Sequence, residues 1–164
     1  MSTEKEVEGF LVSKTNSKGV ITYCNKAFVE ISGFSEAELL GKPHSIVRHP
    51  DMPKSIFKFL WNEIQAKREV NVFVKNLSKC GAYYWVFANV TPSVDIYDAI
   101  TGYYSVRRKP NKKAIEIVSD LYKNIQEIES KGGINEGLAY FNDFFEKKNL
   151  SYQNFVLHLQ IGDE

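Results

Sequence analysis

Cysteine is scarce: Cys24 and Cys80 are the only two in 164 residues. Two thiols outside any CxxC pair make neither a disulfide framework nor a zinc site, and both read as ordinary thiols. A charge bias is lacking too. Lys plus Arg is 21 and Asp plus Glu is 20, a formal net charge of +1. No basic field therefore marks a nucleic-acid binder. No apolar run is long enough for a membrane span, so no direct insertion into a bilayer is expected. The opening stretch Met1–Glu8 is polar and acidic, unlike a secretory leader. A Walker loop, a GxGxxG turn and a Ser–His–Asp arrangement are all missing, which removes the sequence signals of kinases, dehydrogenases and hydrolases. The expectation is a soluble, cytoplasmic chain that is not an enzyme.

What is present is enough apolar residue to build a core, 43% against 25% charged, which rules out a wholly disordered chain. Periodicity changes along the sequence. Phe10–Thr15 and Val20–Cys24 read as a hairpin about the turn at Gly19. Asn25 is placed to cap a short helix that Gly33 stops, and Ser35 with Glu38 forms a capping box for another that ends at Gly41. Three prolines between Lys42 and Pro53 forbid a continuous helix there. From Pro53 to about Lys67, residues Ile56, Phe57, Leu60, Trp61 and Ile64 recur at helical spacing. Three strands follow, Val70–Leu77, Tyr83–Val94 and Gly102–Arg108, before Pro110 ends the unit. Two strands, helices, then three strands argue α+β with an antiparallel sheet. Beyond Pro110 the pattern is helical: a first helix to Lys131, a second through Leu138, Phe141 and Phe145, and a third capped by Ser151.

The densest polar cluster is Pro43-His44-Ser-Ile-Val-Arg48-His49-Pro-Asp51-Met-Pro53. Four readings stand. His44, His49 and Asp51 would be the ligands of a metal, though their spacing matches no established pattern. One histidine would be a haem axial ligand. The segment would be a loop whose polar groups merely cap helix ends. Or it would recognise an anionic or heteroaromatic cofactor, with Arg48 donating a fork of hydrogen bonds. Asn76, near the end of its strand, offers a donor and an acceptor in one plane, the complement of a flavin-like imide edge, and equally suits the turn that follows. Phe57, Trp61 and Trp85 read either as core or as the wall of a cofactor site.

Asn25-Lys-Ala-Phe28, Ser32-Gly-Phe34, Glu38-Leu-Leu-Gly41 and Gly81-Ala-Tyr-Tyr-Trp-Val86 resemble the PAS family. The Pro43–Pro53 string is narrower. It resembles the PAS sensors of bacterial aerotaxis receptors and of stand-alone bipartite energy-taxis proteins, and the likeness runs in order from about Gly9 to Lys109. The resemblance implies a five-stranded antiparallel sheet with flanking helices over residues 9–109, and a C-terminal helical extension over 110–164. It implies non-covalent FAD read as a redox state, with His44, Arg48, His49, Asp51, Phe57, Trp61 and Asn76 at the cofactor. It implies a membrane-bound chemotaxis partner supplying HAMP and signalling domains, with the protein at the inner face of the membrane through that partner. One position departs: flavin-binding members carry Trp six residues before the strand Asn, and here it is Val70. Weaker affinity, compensation by Phe73 or Trp85, or an empty pocket would each follow. The photosensory LOV branch is set aside, because its reactive cysteine belongs in the helical region, where neither Cys24 nor Cys80 lies. The rivals are a haem or other small-ligand sensor and a cofactor-free interaction or homodimerisation module. The extension has four readings: it docks on the sheet, pairs two protomers, contacts a partner or merely completes the fold.

Overall fold

The computed structural model describes residues 3–162, so the first two residues of the polar N-terminal stretch and the last two of the chain lie outside it. Strands β1 (Leu11–Asn16) and β2 (Ile21–Cys24) form the opening hairpin. Asn16 closes its turn, accepting from the backbone of Lys18 and Val20. Helix α1 (Lys26–Ser32) starts at Asn25, whose side chain accepts from the Phe28 amide, and stops at Gly33, whose φ of 74° a side chain would strain. The Ser35–Glu38 capping box opens α2 (Glu36–Leu39). The proline-rich segment then makes one 3-10 turn, His44–Val47, before α3 (Lys54–Gln65). Strands β3 (Val70–Leu77), β4 (Tyr83–Val94) and β5 (Ile100–Arg108) complete an antiparallel sheet of order β2-β1-β5-β4-β3. The α+β architecture is the one the strand and helix pattern predicts. Strand β5 begins two residues earlier than predicted, because Asp95 ties down the preceding turn by accepting from Tyr97 and Ala99.

Period-two alternation gives the sheet two faces. Cross-strand pairs of β3 and β4 run Val72–Ala88, Val74–Val86 and Asn76–Tyr84 on the face toward α3, and Phe73–Phe87 and Lys75–Trp85 on the other. Over β3 and β4 the second face is covered by the C-terminal helices α4 (Lys112–Gly132) and α6 (Tyr152–Ile161), and α5 (Ile134–Lys147) packs against α3 and α4. Trp85 lies 6.2 Å from the Tyr122 ring, and the Tyr122 hydroxyl donates to the Phe73 carbonyl at 2.7 Å. Gln153 of α6 both accepts from the Asn71 amide and donates to the Asn71 carbonyl on the open edge of β3. The extension docks on the sheet through these contacts, which is also what completing the fold requires.

The extension also grips α3. Pro53 stands at the N-cap of α3 and provides no side-chain acceptor. The acceptor comes from Glu129 of α4, whose carboxylate takes hydrogen bonds from the Lys54 and Ser55 amides and the Ser55 hydroxyl. Gly137 of α5 packs so closely there that a Cβ on it would lie 2.8 Å from the Ser55 hydroxyl. Further along, Phe59 of α3 meets Phe141 at 4.9 Å and Tyr152 at 5.4 Å. Substituting Glu129→Ala leaves these amides without an acceptor and is expected to cost about 1–2 kcal/mol, the worth of a helix cap. Urea unfolding followed by far-UV circular dichroism should show a lower midpoint with an unchanged slope.

Candidate ligand cavity

Between α3 and the sheet lies a cavity of about 400 Å³. Helix α3 gives it Phe57, Leu60, Trp61 and Ile64, one face of the helix read at spacings of three and four. The sheet gives Val72, Val74 and Asn76 from β3, Ala88 and Val90 from β4, and Tyr103, Ser105 and Arg107 from β5. The remaining wall comes from Thr15, Lys18 and Gly19 of the first hairpin and from Pro43, His44, Ser45 and Arg48.

Of the residues singled out in the sequence, the cavity gathers His44, Arg48, Phe57, Trp61 and Asn76. Arg48 and Asn76 are neighbours because the chain leaving the 3-10 turn pairs with the edge of β3 at that point. The Arg48 guanidinium stacks on Phe57 at 3.7 Å, and burial pushes its pKa down. Trp61 leans on Tyr103 with centroids 5.5 Å apart. Asn76 is 3% exposed, and its amide nitrogen reaches no described residue with hydrogen-bond geometry, although the Tyr84 hydroxyl across the strand pair is near enough to interact with it. Its cross-strand neighbour Tyr84 and the cavity residue Ser105 also hold hydroxyls without well-formed hydrogen bonds there. Burial pushes the Tyr84 phenol up to about 12.

Three expected residues lie outside the lining. The His49 ring nitrogen Nδ1 accepts from the Asp51 amide at 3.0 Å, and the ring faces Tyr83. Asp51 receives the Lys75 ammonium at 2.9 Å, a bond that holds its carboxyl below the usual range. These two build the turn that leads into α3 and brace it on β3. Trp85 is corrected by parity: an odd-numbered residue of β4 faces the helices of the extension, not the cavity. The same rule removes Phe73, so neither aromatic stands in for the Trp absent at Val70. Val70 itself is fully buried.

The pattern reading missed Arg107. In β5 two tyrosines are adjacent, Tyr103 and Tyr104, so the hydrophobic residues alone do not show which parity faces inward. The register does: Arg107 stands between Leu11 of β1 and Ala88 of β4, on the cavity face. It is 5% exposed and donates to Ser13 at 2.9 Å. It also meets Nε2 of His44 at 2.5 Å, so that nitrogen is an acceptor and the imidazole is neutral. Burial, and then the Arg107 charge, push His44 down to about 3. No group of three His, Cys, Asp or Glu side chains among the described residues is placed to hold a metal ion. No helix of the described residues is long and apolar enough to cross a membrane.

A five-stranded antiparallel sheet cupping a small cavity against short helices is the architecture of a class of small α+β domains. A model of the PAS fold matches residues 9–108. The chain belongs to the PAS family. It is 39% identical over 129 residues to the aerotaxis receptor of Escherichia coli (strain K12), covering 79% of this chain and 25% of the receptor. It is 24% identical over 106 residues to the nitrogen fixation regulatory protein of Klebsiella pneumoniae, covering 65% of this chain and 21% of that protein. The chain therefore spans about a quarter or less of these two relatives. Among solved structures, the dark structure of the blue-light photoreceptor Aureochrome1 LOV superimposes with a TM-score of 0.58 at 23% identity, over 73% of this chain and 86% of that one. A PAS domain from Colwellia psychrerythraea gives 0.57 at 18% identity, over 63% and 87%. Both likenesses concern the fold. By name these relatives and the sporulation kinase C of Bacillus subtilis (strain 168) are a receptor, a regulatory protein and a kinase, and the family model that matches this chain is that of the PAS fold.

The buried neutral imidazole makes stability depend on acidity. Unfolded, His44 takes up a proton near its ordinary 6.5; folded, it resists until about 3. The unfolded state binds more protons between those values, so stability is lost as pH falls through that window, by up to about 1.4 kcal/mol per unit. His49, also pushed down by burial, adds in the same direction. Urea midpoints measured from pH 6.5 to 4.5 should fall steadily in the wild type, and His44→Gln should flatten most of that slope.

Proposed function

We propose that this chain is a PAS redox sensor that holds FAD non-covalently in the cavity and relays the ligand's electron state to a membrane-bound chemotaxis transducer with HAMP and signalling domains. In this reading residues 9–109 are the sensor, residues 110–164 are the relay, and the chain works in the cytoplasm at the inner face of the membrane. The observation that carries it is the Asn76 amide, a buried donor on the cavity wall with no well-formed hydrogen bond among the described residues. A group of that kind costs about 1–3 kcal/mol unless a ligand satisfies it. The volume falls in the ordinary range of small-molecule sites, about 300–1,000 Å³. Phe57 and Trp61 offer flat apolar surface, and Arg48 offers donors to ring carbonyl or phosphate oxygens. The aerotaxis receptor as a relative and LOV domains as fold neighbours support a flavin.

A bound flavin supplies reversible electron uptake. The chain's own part is to hold and to register. Asn76 presents a donor and an acceptor in one plane, and rotation of its carboxamide exchanges the two. Mispairing at a buried donor costs about 1–3 kcal/mol, enough to move a two-state equilibrium roughly 5- to 150-fold. Helix α3 carries the change outward, since its opposite side is bonded to α4 and packed on α5. A haem reading is less well supported: the cavity-wall imidazole, His44, has Nε2 engaged by Ser13 and Arg107.

Freshly purified protein should be yellow, bleach with dithionite and release FAD on denaturation. A colourless protein that takes up no added FAD would overturn the reading, and a Soret band near 400 nm would favour haem. Asn76→Ala should weaken FAD binding roughly 5- to 150-fold, the affinity equivalent of that unmet donor. Trp85→Phe, a change on the helix-covered face, should leave binding unaltered.

A further inference from the structure

Arg107 carries a full charge into the middle of the sheet, where its row neighbours are Leu11 and Ala88. Its partners are all neutral: the Ser13 hydroxyl at 2.9 Å, Nε2 of His44, the Leu11 carbonyl at 3.5 Å and the face of Phe28 at 5.1 Å. No carboxylate among the described residues pairs with it. The cavity it faces is lined by Lys18, Arg48 and Arg107 and by no Asp or Glu. Two residues along the same face of β5, the Ser105 hydroxyl is buried without a hydrogen-bond partner among the described residues.

A buried charge without a counter-ion costs several kcal/mol, and an apolar side chain would fill this row without that cost. Removing the guanidinium also strands little. Ser13 and His44 remain bonded to each other at 3.0 Å. The charge is therefore not needed to satisfy its neighbours. Arg48 differs, because it is exposed to solvent and stacks on Phe57, where solvent screens it. The field of Arg107 acts unscreened inside the cavity.

We propose that Arg107 is the counter-charge for a ligand that becomes anionic on reduction, so that the cavity binds the reduced flavin anion more tightly than the neutral oxidised ring. This rests on the flavin reading for the identity of the ligand. Two electrons and one proton added to the neutral ring leave one negative charge on it; the electrons come from a reductant such as dithionite, which is oxidised to sulfite, and the proton comes from water. Arg107 would stabilise that negative ring through its charge on the cavity wall, and Ser105 would offer a hydroxyl on the same face. Tighter binding of the reduced form raises the ligand's midpoint potential by linkage.

The test is equilibrium binding of FAD to the full chain, under argon, in its oxidised and dithionite-reduced forms, for the wild type and for Arg107→Met, Arg107→Gln and Arg107→Lys. The wild type should prefer the reduced form, relative to the oxidised, by tenfold or more. The two neutral variants should bring that ratio within threefold of unity, and Arg107→Lys should restore most of it. Two neutral variants guard against one of them failing to fold. A ratio unchanged in the neutral variants, or a wild type that prefers the oxidised form, overturns the proposal. A wild type that takes up FAD in neither state overturns the flavin reading instead, and thermal melting of the ligand-free proteins then decides the role of Arg107. Neutral variants that melt at or above the wild-type temperature support a charge held for a ligand; variants that melt well below it make Arg107 structural and overturn the proposal.

Discussion

The alternation of side chains across one antiparallel sheet governs most of this molecule. Strand β3 sends Val72, Val74 and Asn76 to one side and Phe73 and Lys75 to the other, and β4 follows in register. One side becomes a cavity with unpaired polar groups. The other becomes, across β3 and β4, a seat for α4 and α6. A one-residue slip would exchange the two sides entirely, placing Trp85 in the cavity and Asn76 under Tyr122. Register is held by the long β3–β4 and β4–β5 ladders, so ligand cavity and helical seat are specified together.

Helix α3 joins the two sides around the edge of the sheet. Its apolar residues are shared: Phe57, Leu60, Trp61 and Ile64 look into the cavity, while Phe59 enters the aromatic cluster of Phe141, Phe145 and Tyr152. Its N-terminus is completed by a carboxylate that lies 74 residues further along the chain than Ser55. A helix finished by a distant segment is poorly placed to move alone. Displacement of its cavity side alters the bonds at Glu129, and loosening of α4 alters the cavity wall.

Much of this was legible in the sequence because the signals are local. Asn25, Gly33, Ser35 with Glu38, and Ser151 announce their caps by residue type, and each cap is made. The switch from helical spacing to alternation after Lys67 marks the sheet. Within the site, Asn76 and Arg48 were legible because a strand end and a proline-bounded loop expose their chemistry in the chain. What was not legible is long-range. His49 and Asp51 share the loop with Arg48, yet a backbone pairing with β3 turns Arg48 inward while His49 and Asp51 close a turn outside. Trp85 is hydrophobic on either side of the sheet, so composition does not reveal which side it takes. Arg107 escaped notice because a single arginine in a strand ordinarily faces water, and only the register shows otherwise.

The side-chain amide of Gln153 completes both backbone groups of Asn71, much as a neighbouring strand would. Further along the same border, Tyr122 occupies the Phe73 carbonyl, while the His49 amide and the Met52 sulfur occupy the backbone of Lys75. An exposed border strand is an invitation to sheet extension by a second chain, and proteins commonly blunt it. Here the blunting is done by side chains and loop atoms of the same polypeptide, so a sixth strand arriving at β3 finds these hydrogen-bonding positions already taken. Association by strand addition at that border requires α6 to lift first, which ties the chain's resistance to aggregation to the integrity of its last helix.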